Sequence, residues 1–103
     1  MTKVYNKLVR DKLPEIIEAD GKIAKIHILN KQDYQKEVVK KLGEYYEQLK
    51  SAPDVKKLAD MQEALLATAE AFNIPAGELA AVMAKKAVNK GAFKKRIFLE
   101  SVE

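Results

Sequence analysis

The chain has 103 residues, 48% hydrophobic and 33% charged, a balance that excludes a disordered polymer and predicts one soluble globular domain over residues 1–103. It has no cysteine, which excludes a disulfide framework and a Cys-based zinc site. The net charge is +4, and the excess cations crowd the two ends: Lys3, Lys7, Arg10 and Lys12 at one, Lys85, Lys86, Lys90, Lys94, Lys95 and Arg96 at the other. Such clusters attract phosphate on a nucleotide or a nucleic acid, or else form a solvated surface. No stretch reads as a signal-peptide apolar region or a membrane span, so the expectation is a cytoplasmic protein with no membrane partner.

In chain order, residues 13–19 predict a short helix with Pro14 in its first turn, ended by Asp20-Gly21. Residues 23–29 alternate loosely through Ile23, Ile26, Ile28 and Leu29 and predict a short strand. A long helix follows, with Asn30 as its N-cap and Asp33 in its first turn. Tyr34, Val38, Leu42, Tyr45 and Leu49 recur at helical spacing and predict its buried stripe. Ser51-Ala52-Pro53-Asp54 breaks it. The next helix is expected from about Pro53 to Phe72, with Leu58, Met61, Gln62, Leu65, Ala69 and Phe72 as the main buried stripe. Its other side carries Asp60, Ala64, Ala67, Thr68 and Ala71, small or polar residues suited to a close helix approach or a ligand cavity. After Asn73-Ile74-Pro75, a further helix near 76–89 carries Leu79, Val82 and Met83 and stops at Gly91. Residues 96–101 then read as extended, able to pair with 24–29. The expected fold is mainly α: a three-helix-centred bundle with a short terminal helix and a small two-stranded β element, completed by dimerisation into a homo-oligomer.

The opening run Tyr5-Asn6-Lys7-Leu8-Val9-Arg10-Asp11-Lys12-Leu13-Pro14 and the closing Gly91-x-Phe93-x-x-Arg96 bracket this helical pattern. Together they make the chain resemble, over nearly its whole length, the small all-α nucleoside triphosphate pyrophosphohydrolases, the MazG-like and phosphoribosyl-ATP pyrophosphohydrolase-like group. Members of that group usually carry Gly-Gly-Phe where this chain has Gly91-Ala92-Phe93. The resemblance implies a nucleotide or phosphorylated small-molecule ligand. It also implies magnesium held by a Glu-Glu-x-x-Glu stretch on one helix and Glu-x-x-Asp on the next. Carboxylates three or four apart share a helix face, so two helices can aim several oxygen ligands into one cleft.

This chain departs from that pattern. Lys41-Leu42 sets the register, which puts the first Glu on Glu44, the second on Tyr45 and the third on Gln48. On the next helix Leu58-Ala59-Asp60 retains Asp60, while the leading Glu falls on Lys57. Glu47 and Glu63 are the nearest substitutes, but Glu47 turns away from the apolar stripe and Glu63 lies under the same objection. A tetra-acid cleft repels a triphosphate unless Mg²⁺ intervenes. A cleft with Gln48 and Lys57 holds phosphate directly through amide and ammonium donors, without the metal's Lewis acidity.

The resemblance makes Lys7, Arg10 and Lys12 phosphate-facing, with Lys86, Lys90 and Arg96 as further candidates and Asn6 able to bond a base. Arg10 and Asp11 can equally form an intramolecular salt bridge or cap that fastens the N-terminus. Tyr45-Tyr46 can stack on a base or, for Tyr45, belong to the core. The lone histidine, His27, reads as structural, and there is no P-loop or Ser-His-Asp set. Three readings stand open. One is a nucleotide-binding relative weakened or lost in hydrolysis, needing no metal. The second is an active Mg-dependent pyrophosphohydrolase using Glu44 and Asp60, with Glu47 and Glu63 as the further candidate ligands. The third is a basic helical module for nucleic acid or protein. Acids mixed among the bases of the central helices, and the lack of a DNA-binding motif, make nucleic acid the weakest of the expected partners.

Overall fold

A computed structural model describes residues 2–103. It holds four helices: α1 (Leu13–Ala19), α2 (Lys31–Ser51), α3 (Val55–Ala71) and α4 (Ala76–Lys90). Their ends follow local chemistry. Gly21, at φ 78°, takes the left-handed position after α1, and the Gly21 and Lys22 amides donate back to Glu18 and Ile17 carbonyls at 3.0 and 3.3 Å. Asn30 Oδ1 accepts the Asp33 amide at 2.8 Å and starts α2. Asp54 Oδ1 accepts the Lys57 amide at 2.8 Å and starts α3, while Lys57 Nζ donates to the Ala52 carbonyl at 2.6 Å. The short α2–α3 connection is therefore clamped from both sides. Asn73 (φ 60°) closes α3 with the same double bond pattern as Gly21: its own amide reaches Glu70 O at 3.0 Å and the Ile74 amide reaches Ala69 O at 2.8 Å.

The α2–α3 hairpin is the packed part of the molecule. Gln35 Nε2 donates to the Ala71 carbonyl at 2.9 Å, joining the start of α2 to the end of α3 and setting an antiparallel register. The stripe expected on α2 faces inward: Val38 is 1% exposed, and Tyr34, Leu42, Tyr45 and Leu49 are half-buried. The expectation for α3 is inverted. Ala64 and Ala71 are buried and Ala67 and Thr68 half-buried, whereas Leu58, Leu65 and Phe72 are 53%, 48% and 45% exposed. Of the stripe predicted to be buried, Ala69 is buried and Met61 half-buried, but Gln62 is exposed. The cause is distance. Alanines let the α3 backbone approach α2 closely enough for a side chain of one helix to bond a carbonyl of the other, and large side chains on that face would hold the helices apart. Thr68 fits this face because its Oγ1 donates to the Ala64 carbonyl at 2.7 Å.

The two-stranded β element is not formed. Among the described residues there is no strand, and no backbone hydrogen bond outside the helices involves residues 23–29 or 97–103. A strand has no hydrogen bonds of its own. Apolar alternation such as Ile23, Ile26, Ile28 becomes a strand only beside a partner, and these two segments do not meet. His27 sits exposed in the first of them.

The chain is open. Every residue of α4 and of the segment after it is exposed, and α3 is the one other helix that α4 packs against among the described residues. The radius of gyration is 18.0 Å, against about 13 Å for a compact domain of this length. No helix is long and apolar enough to cross a membrane.

The small face of α3 generates a prediction. Ala64→Leu should destabilise the hairpin by about 1–3 kcal/mol, because the added side chain forces α2 and α3 apart. Urea denaturation monitored by circular dichroism reads this directly. An unchanged or raised midpoint would place Ala64 on an open face and refute the register.

Candidate functional site

Glu44 and Asp60 lie on the packed hairpin, and each is held by a cation. Arg10, on the segment that precedes α1, places its guanidinium Nη2 2.6 Å from Asp60 Oδ1 on α3. The Asp60 bond raises the Arg10 pKa above its already high ordinary value; partial burial opposes this, and Tyr45 on α2 adds to it. The N-terminal segment thus crosses the hairpin where Tyr45 and Asp60 lie side by side. Asn6, at φ 46°, turns the chain within that segment. A salt bridge of Arg10 does fasten the N-terminal segment to the bundle; its partner is Asp60, fifty residues away.

Glu44, one helical position from Tyr45, accepts a bond from Lys41 Nζ at 2.7 Å. This pair is well shielded, at 16% and 25% side-chain exposure. The Lys41 bond holds the Glu44 carboxyl below its usual range, and the charges of Lys7 and Lys40 add to the effect. Lys7 therefore reaches the Glu44 side of the hairpin, as Arg10 reaches the Asp60 side. Lys41 was not singled out in the sequence as a site residue. Its signal was the three-residue spacing to Glu44, which puts the two on one helix face.

The remaining candidates scatter. Lys57 is committed to the Ala52 carbonyl at the hairpin turn, although an ammonium keeps two further donors. Glu47 pairs with Lys50 at 3.1 Å on the exposed side of α2. Gln48, Glu63 and Lys12 are exposed. Lys86 and Lys90 on α4, and Arg96 beyond it, are exposed as well, and none of the hydrogen bonds or ion pairs among the described residues ties them to the Arg10–Asp60 site. Lys90 and Arg96 instead line an open indentation of about 310 Å³ with Phe93 and Lys94. Cations already lie over both tyrosine faces considered for base stacking: Lys41 Nζ 5.8 Å from the Tyr45 ring centre, Lys50 Nζ 5.3 Å from that of Tyr46.

Among the described residues no three His, Cys, Asp or Glu side chains converge. A divalent ion at Asp60 or at Glu44 would first have to displace Arg10 or Lys41. Arg10 presents a planar guanidinium fork at an exposed position, and Lys7 and Lys40 lie near enough to Glu44 to favour its charged form.

The chain matches no known family profile, no curated protein and no solved structure.

The depressed Glu44 pKa sets a pH dependence. A carboxyl whose folded pKa lies below its unfolded one contributes stability that is present above the unfolded pKa and lost as pH falls through the folded one. Glu44→Gln should therefore cost up to about 1 kcal/mol at pH 7, and the gap to the parent chain should close as pH falls below about 5. Urea denaturation at stepped pH measures both. Parallel pH profiles for the two chains would mean that the Lys41–Glu44 pair contributes nothing.

Proposed function

We propose that this protein binds a nucleotide-like phosphorylated ligand without magnesium, on the face where its N-terminal segment crosses the α2–α3 hairpin, and that it hydrolyses that ligand weakly or not at all. The observation that carries the reading is the Arg10 guanidinium seated on Asp60 beside Tyr45. In the resembled pyrophosphohydrolases, the matching acidic position helps to hold the metal. Here an arginine supplies the positive charge, and it is tethered to the chain. The substitutions at Tyr45, Gln48 and Lys57 support the same reading, since they remove three of the carboxylates a metal would need.

Phosphate would exchange for a carboxylate. A phosphoryl group approaching Arg10 takes up both arms of the fork and leaves Asp60 to solvent, with Lys7 and Lys41 as further point charges. The Tyr45 hydroxyl and the remaining Lys57 donors lie on the same hairpin and can extend the polar contacts along the ligand. An arginine binds and orients a phosphate but does not generate a hydroxide from water, which is why binding is expected to outlast hydrolysis. The cytosolic nucleotide pool is the natural setting for such a binder.

Isothermal calorimetry with nucleoside mono-, di- and triphosphates, in chelator and in Mg²⁺, with pyrophosphate assayed in the same samples, tests this. The expected outcome is binding that survives chelation, yields no pyrophosphate and weakens as salt rises. Arg10→Ala should weaken it by at least about tenfold, the value of a hydrogen bond to a charged group. Arg10→Lys should recover part of the loss, since it keeps the charge but not the fork. Binding that requires Mg²⁺ and releases pyrophosphate would establish the active enzyme and refute this reading. Preference for long polyanions over mononucleotides would favour a basic nucleic-acid module.

A further inference from the structure

We propose that the chain from the second half of α4 to Leu99 docks on an anionic lipid surface, with its cations on the headgroup phosphates and its apolar side chains in the interface below them. The first observation is charge. Between Leu79 and Leu99 there is no Asp or Glu, while Lys85, Lys86, Lys90, Lys94, Lys95 and Arg96 supply six positive charges. None of these six enters an ion pair or donates a side-chain hydrogen bond among the described residues. Arg10, Lys41 and Lys50, by contrast, are each matched by an acid of their own chain. The counter-charge for the C-terminal set has to come from outside the chain.

The second observation is geometry. Gly91, at φ 85°, ends α4, and the Arg96 amide donates to the Phe93 carbonyl at 3.2 Å, so residues 93–96 form a turn. Lys94 and Lys95 stand at its centre. With Lys90, Arg96 and Phe93 they line the open indentation of about 310 Å³, which gathers four of the six cations around one concave surface. Large apolar side chains bracket these charges: Phe93, Ile97, Phe98 and Leu99 are 96%, 82%, 88% and 72% exposed. On α4 itself, Leu79, Met83, Lys86 and Lys90 recur at spacings of four, three and four, which puts apolar and cationic residues on one flank. The lysine stems can then lie along an apolar layer while their ammonium groups stay with the phosphates.

Charge and apolar character together select the partner. A second copy of the chain would set six cations against the same six. A folded acidic protein needs a shaped groove, whereas these apolar residues are strung along exposed chain. Nucleic acid would satisfy the charges, but Ile97 and Leu99 have no ring to stack on a base. A bilayer needs no shaped pocket. Its anionic headgroups attract each Lys or Arg by about fivefold in affinity, and its acyl boundary takes Phe, Ile and Leu. A basic patch plus inserted apolar side chains is the pairing of two signals that makes such adsorption stable. The expectation of no membrane partner rested on the lack of a spanning segment. No helix here is able to span, and lying on a surface requires none. The proposal is independent of the nucleotide reading, which uses Arg10 and the α2–α3 hairpin.

The full chain is titrated with vesicles of phosphatidylcholine alone, with vesicles of phosphatidylcholine and phosphatidylglycerol in equal parts, and with single-stranded RNA. The chain has no tryptophan, so Phe98→Trp supplies its single indole and Val55→Trp, on α3, supplies one outside the segment. Affinity for the mixed vesicles should exceed that for phosphatidylcholine at least about tenfold and fall as salt rises. The indole of Phe98→Trp should shift to the blue on binding, and that of Val55→Trp should not. Lys94→Glu combined with Lys95→Glu should weaken binding at least about tenfold. Phe93→Ser combined with Ile97→Ser should do the same with every charge kept. All four side chains are exposed, so circular dichroism should be unchanged. No binding, or equal binding to both vesicles, would overturn the proposal. An indole of Phe98→Trp that stays in water while the chain binds would overturn it too, because charge alone would then hold the protein. RNA that binds more tightly than the mixed vesicles, with no loss in the Phe93→Ser and Ile97→Ser variant, would make the segment a nucleic-acid contact and overturn it equally.

Discussion

The close approach of α2 and α3 is the constraint on which the rest of this molecule depends. It is made by alanines on one side and by Val38 and its neighbouring half-buried residues on the other. Small side chains contribute little apolar area each, but they bring two backbones within reach of one another, and Gln35 uses that reach to bond the Ala71 carbonyl. The same choice has a cost in exposure. By spending its alanines on α2, α3 turns its leucines and Phe72 outward, and the hairpin presents a second apolar face.

The hairpin also decides the electrostatics. It sets Tyr45 on α2 beside Asp60 on α3 and Glu44 one position further along. Here the N-terminal segment lays Arg10 on Asp60 and Lys7 near Glu44, and Lys41 completes the neutralisation from within α2. The exposed Arg10–Asp60 pair is worth little as a stabiliser, since solvent screens it and two long side chains must be held. It fastens the N-terminal segment to α3 and leaves the guanidinium half-exposed at the surface.

Part of the candidate site was legible in the sequence alone. The exposed position of Glu47 follows from helical angle, and its partner there is Lys50, three residues on. What stayed hidden was every long-range pairing. A salt bridge of Arg10 that fastens the N-terminus was open to the sequence, but nothing in the string links Arg10 to Asp60 across fifty residues. Lys57 was read as a phosphate donor from its charge, whereas its ammonium serves the Ala52 carbonyl at a turn whose geometry no residue type announces.

By itself the sequence determined the local structure. Caps at Asn30 and Asp54, positive-φ stops at Gly21, Asn73 and Gly91, and a Pro14 start are chemistry within three or four residues, so helix boundaries were readable to within a residue or two. Tertiary structure alone decided which face of α3 is inside and whether 23–29 becomes a strand. An amphipathic helix with two apolar flanks, one small and one large, satisfies the same periodicity with either flank buried; the separation of helix axes selects between them. A strand's hydrogen bonds belong to its neighbour, so its existence is not a property of its own residues.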